Sequence, residues 1–467
     1  MTSKLWNLID LRKPKLALAL CKRFPKTELR VTYVSRNLAD FETLERIILR
    51  YPSRISVLHV KGIKPKIDTF MSQFQTCAPA LTILHLTRDT TVPWDAAHQN
   101  SFFECLTGVD CSKLRYLCMR GFSSHSLWIS RWLRSLELRD LEISQMHESD
   151  DEPLDDVLDA LEALPFLERL CLSRGGSYEL LTAPSVRSSR KVHLCRLREL
   201  DLAGPTRSCA SLLKHLKIAD SAKLEVKCWS ECSAYFADIW QETQPYCLGP
   251  VVALDMHISD VSLCSTGRAR RGGPTLVLAL DGASPEEGDS ILQQLGSCQL
   301  LSSNATIFAL NKREGTLRPR SLSSLQNILA NAEGLQHLSL KGLGAAEYAF
   351  RALHNLHAAG DGSHIALPNL ATLRIIDAEH SSGQLWFGLC CAELIRRHAF
   401  ALRHGKAPLQ NVKIAHCSGL DRTALGLLEE LATKVVVDPS PDDDDSDTSD
   451  NVSIRSDYAD GDMEQSD

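Results

Sequence analysis

The sequence LRELDL at residues 197–202 decides the fold, because it is one of many copies of a single pattern. Apolar residues occupy its first, fourth and sixth positions, and the residues between them are mostly polar. Clear copies begin at Leu81, Leu114, Leu133, Leu167, Leu335, Leu370 and Leu409. Looser copies begin at Ile55, Ser221, Val251, Thr275 and Ala305. These 13 copies begin about 30 residues apart on average, which indicates an internal repeat.

The pattern predicts a short strand whose apolar residues face a shared core. One such unit cannot bury its apolar face alone, so neighbouring units stack and their strands form a parallel sheet. The segments between strands have apolar residues at helical spacing. The predicted helices cover residues 41–51, 153–164, 321–332, 345–359, 385–400 and 422–433. The predicted fold is α/β, a leucine-rich-repeat solenoid with its sheet on the concave side. Unrelated strands in ordinary α/β domains are the alternative, which 13 copies disfavour.

Acidic and basic residues are distributed unevenly along the chain. Residues 438–467 contain 12 acids and one base, whereas the rest contains 51 bases and 46 acids. We therefore predict three parts: a helical N-terminal cap over 1–28, the solenoid over 29–437, and a disordered acidic tail over 438–467. A body this close to neutral gives no reason to expect a nucleic-acid partner.

Several classes of protein are not expected. The early apolar run from Leu16 to Cys21 is far shorter than the ~20 residues that cross a bilayer. It also lacks the order of a signal peptide, so we predict a cytoplasmic or nuclear protein with reduced cysteines and no membrane partner. The sequence has no hydrolase, P-loop or metalloprotease motif, and no paired cysteine spacing typical of zinc sites. We therefore expect no enzyme activity, cofactor or metal, although an enzyme on an irregular α/β fold remains an alternative.

The candidate binding site comes from the register of the repeat. The fifth position of each strand is expected on the concave face, where the middle copies carry acids and the last two carry bases. The candidate residues are Glu137, Asp201, Glu225, Asp255, Arg374 and Lys413. The hypothesis is a concave site for a protein segment with a basic centre, and the alternative is a solvated sheet surface.

The tail suggests a second hypothesis. Its sequence DPSPDDDDSD from Asp438 has almost no apolar content, so solubility is its plain role. The second hypothesis is that its negative charge binds back on the basic residues Lys341, Arg374 and Lys413. Ser440 is a candidate phosphosite, because Pro441 follows it and Asp443 stands three residues on.

Several phrases resemble the fungal F-box proteins that carry C-terminal leucine-rich repeats. The segment LWNLIDLRKPKLALALCKRFP from Leu5 is similar to the stretch that follows the F-box there, and RISVLHVKG from Arg54 is similar to a strand phrase. CRLRELDLAGPTRSCASLLKHLKI from Cys195 and NVKIAHCSGLDRTALGLLEEL from Asn411 resemble its repeats. The resemblance covers roughly residues 5–437, and the order of the phrases is its strongest part.

The resemblance implies a solenoid that recognises substrates for an SCF-type ubiquitin ligase, with the Skp adaptor and cullin as further partners. In that family the F-box precedes the first of these phrases. Only five residues precede Trp6 here, so we expect the F-box to be absent from this chain. A leucine-rich-repeat adaptor with no ligase role is the alternative.

Overall fold

The computed structural model describes a large part of the chain, with gaps between its elements. Described are residues 8–10, 19, 21–23, 28–34, 47, 50–63, 79–88, 111–122, 124–144, 154–173, 190–219, 221–229, 232–243, 251–256, 260–266, 274–281, 290–291, 293–294, 307–311, 319–342, 345–359, 365–377, 385–404, 409–417 and 422–438.

Strands are present at 12 of the 13 predicted copies and at several other positions of the described residues. In chain order they are β1 (Leu8–Asp10), β2 (Leu29–Val34), β3 (Ile55–Ile63), β4 (Ile83–Arg88), β5 (Tyr116–Arg120), β6 (Asp140–Ser144), β7 (Arg169–Ser173), β8 (Val192–Leu194), β9 (Glu199–Pro205), β10 (Leu216–Ile218), β11 (Lys223–Trp229), β12 (Val251–Met256), β13 (Asp260–Thr266), β14 (Pro274–Asp281), β15 (Ile307–Asn311), β16 (His337–Lys341), β17 (Thr372–Ile376), β18 (Asn411–Ala415) and β19 (Lys434–Asp438).

Helices occupy many of the connections. They are α1 (Ser124–Ile129), α2 (Arg131–Arg134), α3 (Leu154–Glu162), α4 (Thr206–His215), α5 (Cys232–Thr243), α6 (Pro319–Asn331), α7 (Ala345–Ala359), α8 (Leu385–His404) and α9 (Arg422–Leu431). The start of α3 carries Asp155 and Asp156 in its first turn, where carboxylates complement the helix dipole. Apolar residues at helical spacing then bury one face of α3 against the sheet.

Most strands of the described sheet pair in parallel with their neighbours in the sequence. The parallel pairs run without interruption from β1 to β7 and then through β9 to β11, while β8 and β10 form a separate parallel pair. A second parallel run extends from β15 to β19. The prediction of an α/β fold with a mostly parallel sheet is confirmed.

The order of strands changes between these two runs. β11 pairs with β14 rather than with β12, and β12 pairs with β15. β13 lies between β14 and β12 and is antiparallel to both. The copies at Val251 and Thr275 are therefore strands, but their expected succession is wrong. The short connection after Met256 returns the chain antiparallel, and a parallel neighbour would need a crossover of a dozen or more residues.

A second correction concerns the copy at Leu133. This stretch reads LRSLELRDLEI, in which two copies of the pattern overlap, at Leu133 and at Leu138. The first begins on α2, where the Ser130 hydroxyl accepts a hydrogen bond from the Leu133 backbone N–H at 3.3 Å, and continues into the turn after that helix. The second forms β6. The true copy therefore begins five residues later than predicted.

Apolar side chains alternate along the strands and fill one core. Leu117, Leu141, Leu170, Leu200 and Leu224 are in register on neighbouring strands, and each is at most 1% exposed. Residues from the helices, including Trp128, Leu158 and Phe236, belong to the same cluster. The helices thus cover this face of the sheet, and the strand residues between the leucines point to the opposite face, here called the polar face.

A buried ion cluster joins helices α7 and α8. Glu393 Oε1 lies 2.9 Å from Arg397 Nε, and Glu393 Oε2 lies 3.2 Å from His357 Nε2. The Arg397 guanidinium also donates hydrogen bonds to the carbonyls of Leu367 and Ala366, at 2.8 and 2.7 Å. The cluster therefore fixes the turn before β17, where Leu367 has a left-handed φ of 55°.

The structure describes only a few residues of the predicted N-terminal cap and one residue of the predicted C-terminal tail. In the segment expected to form a helical cap, residues 8–10 form β1, which pairs in parallel with β2, while residues 19 and 21–23 are helical. Beyond Asp438 the predicted tail lies outside the described residues, as does Ser440. In the described part of the chain, no helix combines the length and the apolarity needed to cross a bilayer.

Candidate functional site

A row of acids and thiols crosses the middle of the polar face. Its members stand at equivalent positions of β5, β6, β7, β9 and β11, each directly opposite the next in the parallel register. They are Cys118, Glu142, Cys171, Asp201 and Glu225, here called the carboxylate row. Because neighbouring strands lie about 4.8 Å apart, the row is roughly 19 Å long.

Glu142 is held by partners on the neighbouring strand. Oε1 of its carboxylate accepts two hydrogen bonds from the Arg120 guanidinium, at 3.2 and 2.7 Å, and Oε2 accepts one from the Tyr116 hydroxyl at 2.9 Å. Burial favours the neutral acid, but hydrogen bonds from Arg120 and Tyr116 outweigh it and lower the pKa of Glu142. Glu142 is therefore a fixed anion with its side chain only 16% exposed.

Asp201 has a different environment. The thiol of Cys171 donates a hydrogen bond to its carboxylate at a sulfur–oxygen distance of 3.7 Å, and Glu225 stands opposite it on the next strand. Burial and the neighbouring Glu225 charge raise the pKa of Asp201. Two acids that face each other directly across strands repel. A cation placed between Asp201 and Glu225 would relieve that repulsion.

Basic side chains flank the carboxylate row on both sides. Glu225 pairs with Lys227 at 2.9 Å on one side and with Lys223 at 3.7 Å on the other. Glu199, beside the row, contacts Arg169 at 3.3 Å and Lys223 at 3.2 Å. Along β11 the charges therefore alternate from base to acid to base, whereas the acid Glu199 lies among the bases beside the row.

The two thiols in the row are poor nucleophiles. Burial, followed by the charge of Glu142, raises the pKa of Cys118 to about 12. Burial, followed by the charge of Asp201, raises the pKa of Cys171 to about 12. Because the thiolate is the reactive form, neither group is set up for nucleophilic catalysis at neutral pH. They serve as small, uncharged spacers between the acids.

Two histidines extend the same row towards the N-terminus. His59 on β3 and His85 on β4 stand opposite each other, with their ring centroids 5.1 Å apart in an edge-to-face arrangement. Burial lowers the pKa of both imidazoles, and Arg120 lowers that of His85 further. Both rings are therefore neutral at pH 7 and give this end of the face a hydrogen-bonding surface without charge.

The structure brings together only some of the predicted site residues. Asp201 and Glu225 are neighbours, as expected, but Glu137 is not on the sheet. It lies between α2 and β6, is 61% exposed and pairs with Arg115 at 3.1 Å. Glu137 is therefore excluded from the site, because the repeat begins at Leu138 instead of Leu133.

Asp255 is separated from the other acids. Its strand, β12, is the third from β11, because β14 and β13 intervene. The register places Asp255 in line with Lys227 rather than with Glu225. The expected succession of acids over consecutive strands is thus wrong at Asp255, whose side chain lies outside the described part.

The predicted basic residues do lie side by side. Arg374 on β17 is directly opposite Lys413 on β18, and both point to the polar face. Asp255 is in line with them through Ala309 and Ser339.

Sequence reasoning missed Glu142, which makes the strongest contacts in the row. The spacing of the copies carried a usable signal. Starting the third strong copy at Leu138 gives spacings of 24 and 29 residues to its neighbours, whereas Leu133 gives 19 and 34. The more even spacing would have placed Glu142, rather than Glu137, in the row.

Other chemistry is not evident in the described residues. None of their His, Cys, Asp and Glu side chains form a group of three or more that could hold a metal ion. A cavity of about 350 Å³ lies between α4 and α5 on the helical side. Arg207 and Lys214 line it from α4, and Asp238 and Glu242 line it from α5, so it is a polar groove of mixed charge.

Comparisons with models of known protein families and with curated protein sequences give no match. The resemblance to F-box proteins therefore stays a prediction.

Proposed function

We propose that this protein is a leucine-rich-repeat solenoid that binds another protein through the polar face of its sheet. The observation that carries this function is the carboxylate row, whose acid Glu225 lies between Lys223 and Lys227. It suits a partner segment whose central side chain is Lys or Arg and whose flanking positions carry acids.

The backbone of the repeat supports the solenoid interpretation. In successive units, one carbonyl accepts hydrogen bonds from two consecutive N–H groups of the next unit. Thr82, Arg115, Arg139 and Glu168 act in this way in one half, and Gln336 and Ala371 act so in the other. The same contact at the same repeat position is expected of stacked, equivalent units.

A further regular feature lies three residues before several of the copies. The backbone N–H of the first leucine bonds to a carbonyl there, as in Leu114 to Cys111, Leu167 to Leu164 and Leu335 to Ala332. The side chains at both positions are buried. In these copies the repeating unit therefore begins three residues before the first leucine. It consists of an apolar residue, two further residues and then the six-residue pattern of LRELDL.

Isosteric substitutions test the binding site. The full chain would be tagged, expressed in its source cells and cross-linked before purification. Asp201→Asn and Glu225→Gln should each reduce recovery of the cross-linked partner several-fold, because they remove charge without changing side-chain size. Glu137→Gln is the matched control, since Glu137 lies off the sheet. Equal recovery of the cross-linked partner with all three variants would contradict the proposal.

The ligase role rests on the resemblance and needs its own measurement. If the chain works within an SCF-type ligase, the Skp adaptor and cullin should be purified with it at near-stoichiometric amounts. The alternative is a leucine-rich-repeat protein with no ligase role. It is supported if recovery of the cross-linked partner depends on Asp201 while the Skp adaptor and cullin are not recovered. The raised pKa values of Cys118 and Cys171 disfavour one version of the enzyme alternative, in which either thiol is the nucleophile.

A further inference from the structure

Two histidines lie side by side at the N-terminal end of the polar face. His59 on β3 and His85 on β4 are paired directly in the parallel register, and their ring planes meet at an angle of 66°. Both side chains are half-buried, so each ring is in contact with the sheet and still reaches solvent. Histidine is the commonest metal ligand in proteins. The pair therefore offers two ring nitrogens to one metal ion.

The separation of the two rings fits one coordination geometry. A metal–nitrogen bond of about 2.0–2.1 Å places the metal about 3.2 Å from the centroid of each imidazole. Two such rings lie about 5.2 Å apart at a tetrahedral angle and about 4.5 Å apart at the right angle of a square-planar complex. The observed centroid distance is 5.1 Å, which matches the tetrahedral value. Zn²⁺ prefers tetrahedral coordination and binds imidazole, so it is the ion that suits this pair.

The rings can adopt that geometry with little movement. Rotation about the Cβ–Cγ bond turns the ring nitrogens of a histidine but leaves its centroid almost in place, and this torsion is soft. His85 Nε2 lies 3.4 Å from the Thr87 hydroxyl. A hydrogen bond from one ring nitrogen to an oxygen leaves the lone pair on the other nitrogen, as is common in metal-binding histidines. In the row, Thr32 stands beside His59 and Cys118 stands beside His85, so uncharged residues flank the pair.

Two basic residues nearby oppose a cation only weakly. Lys61, two residues along β3, is exposed, so solvent and salt screen its charge. Arg120 lies 2.7 Å from the Glu142 carboxylate, which compensates its charge. Burial lowers the pKa of both imidazoles, so at pH 7 they are in the neutral form that binds metal ions.

We propose that His59 and His85 together bind one Zn²⁺ ion, each through one ring nitrogen, with water in the two remaining positions. Within the described part of the chain, no group of three His, Cys, Asp or Glu side chains is placed to hold a metal, so the site has two protein ligands. His85 is four strands, or about 19 Å, from Asp201. The zinc site is therefore independent of the partner proposed for the carboxylate row.

Zinc titration of the full chain tests this site. The protein is freed of metal with a chelator, kept reduced and titrated with Zn²⁺ in a calorimeter. His59→Gln and His85→Gln should each lose one bound zinc ion, or bind that ion about tenfold or more weakly. His337→Gln changes an exposed histidine on β16 and should bind as the wild type does. Equal zinc binding by the wild type and by the variants at His59 and His85 would overturn the proposal.

A measurement on the wild type alone covers the case in which a variant does not fold. Diethyl pyrocarbonate modifies the unprotonated ring nitrogen, which is the atom that a metal ion occupies. Zinc should therefore slow the modification of His59 and His85 but not that of His337, and peptide mass spectrometry gives the three rates. Unchanged rates at His59 and His85 would show that the two rings form only an aromatic contact, and the proposal would be wrong.

Discussion

Arg120 on β5 donates two hydrogen bonds to one oxygen of Glu142 on β6, and Tyr116 donates to the other oxygen. The two strands are thus tied together on the polar face as well as through their backbones. The same geometry shows which acid belongs to the sheet, because Glu137, five residues earlier, is an exposed residue outside it.

Substituting these two acids should have different consequences. Glu142→Ala removes the acceptor of three hydrogen bonds in a half-buried position, so we expect a loss of about 1–3 kcal/mol of unfolding free energy. Glu137→Ala removes an exposed ion pair and should cost less than about 0.5 kcal/mol. Urea unfolding of both variants measures the difference. Equal losses would mean that the repeat begins at Leu133 after all.

Cysteine reactivity should follow burial. Cys118 and Cys171 have pKa values raised to about 12, so their thiolate fractions at pH 8 are on the order of one in ten thousand. Cys195 is exposed and should react with iodoacetamide much faster. Mass spectrometry of timed reactions gives the three rates. Fast labelling of Cys118 in the folded protein would contradict the burial of its side chain.

The paired histidines should make the protein less stable in mild acid. Burial lowers the pKa of His59 and His85, so the unfolded chain binds protons more readily than the folded one. Their contribution is fully present above the unfolded pKa of about 6.5, and it is lost as the pH falls through the folded values.

The double variant His59→Gln, His85→Gln should therefore lose less stability than the wild type between pH 7.5 and pH 5.5. Urea unfolding at both pH values measures this difference. His337→Gln changes an exposed histidine on β16 and serves as the control. An unchanged pH dependence in the double variant would exclude these two rings as its source.

The Glu393–Arg397 cluster should be important for stability. Although burial raises the pKa of Glu393, Arg397 and His357 bring it below its usual value, so Glu393 is a buried anion. Arg397→Met removes the buried cation from that anion and the donor from two backbone carbonyls, and we expect a loss of about 3–5 kcal/mol.

The double variant Glu393→Met, Arg397→Met should be less destabilised than the sum of the single variants, with a coupling of about 1–3 kcal/mol. Arg351→Met is the matched control, because Arg351 is exposed and pairs with the partly buried Glu347 one helical turn away. It should cost less than about 0.5 kcal/mol. Additive effects at Glu393 and Arg397 would show that the two side chains do not act together.

Local periodicity alone predicted much of the fold. The helix predicted at 345–359 matches α7 at both ends, and LRELDL at 197–202 provides most of β9. Both succeed because burying one apolar face sets a period within a single element. Asp201 and Glu225 could likewise be placed side by side, because the pattern is unambiguous in both strands.

Tertiary structure decided the rest. In LRSLELRDLEI two registers fit the pattern equally well, and the Ser130 cap on α2 together with the spacing of stacked units selects the second. The sequence of β12, β13 and β14 likewise specifies strands but not their order. Strand order depends on contacts between distant segments and on the length of the connections, which a local pattern does not contain.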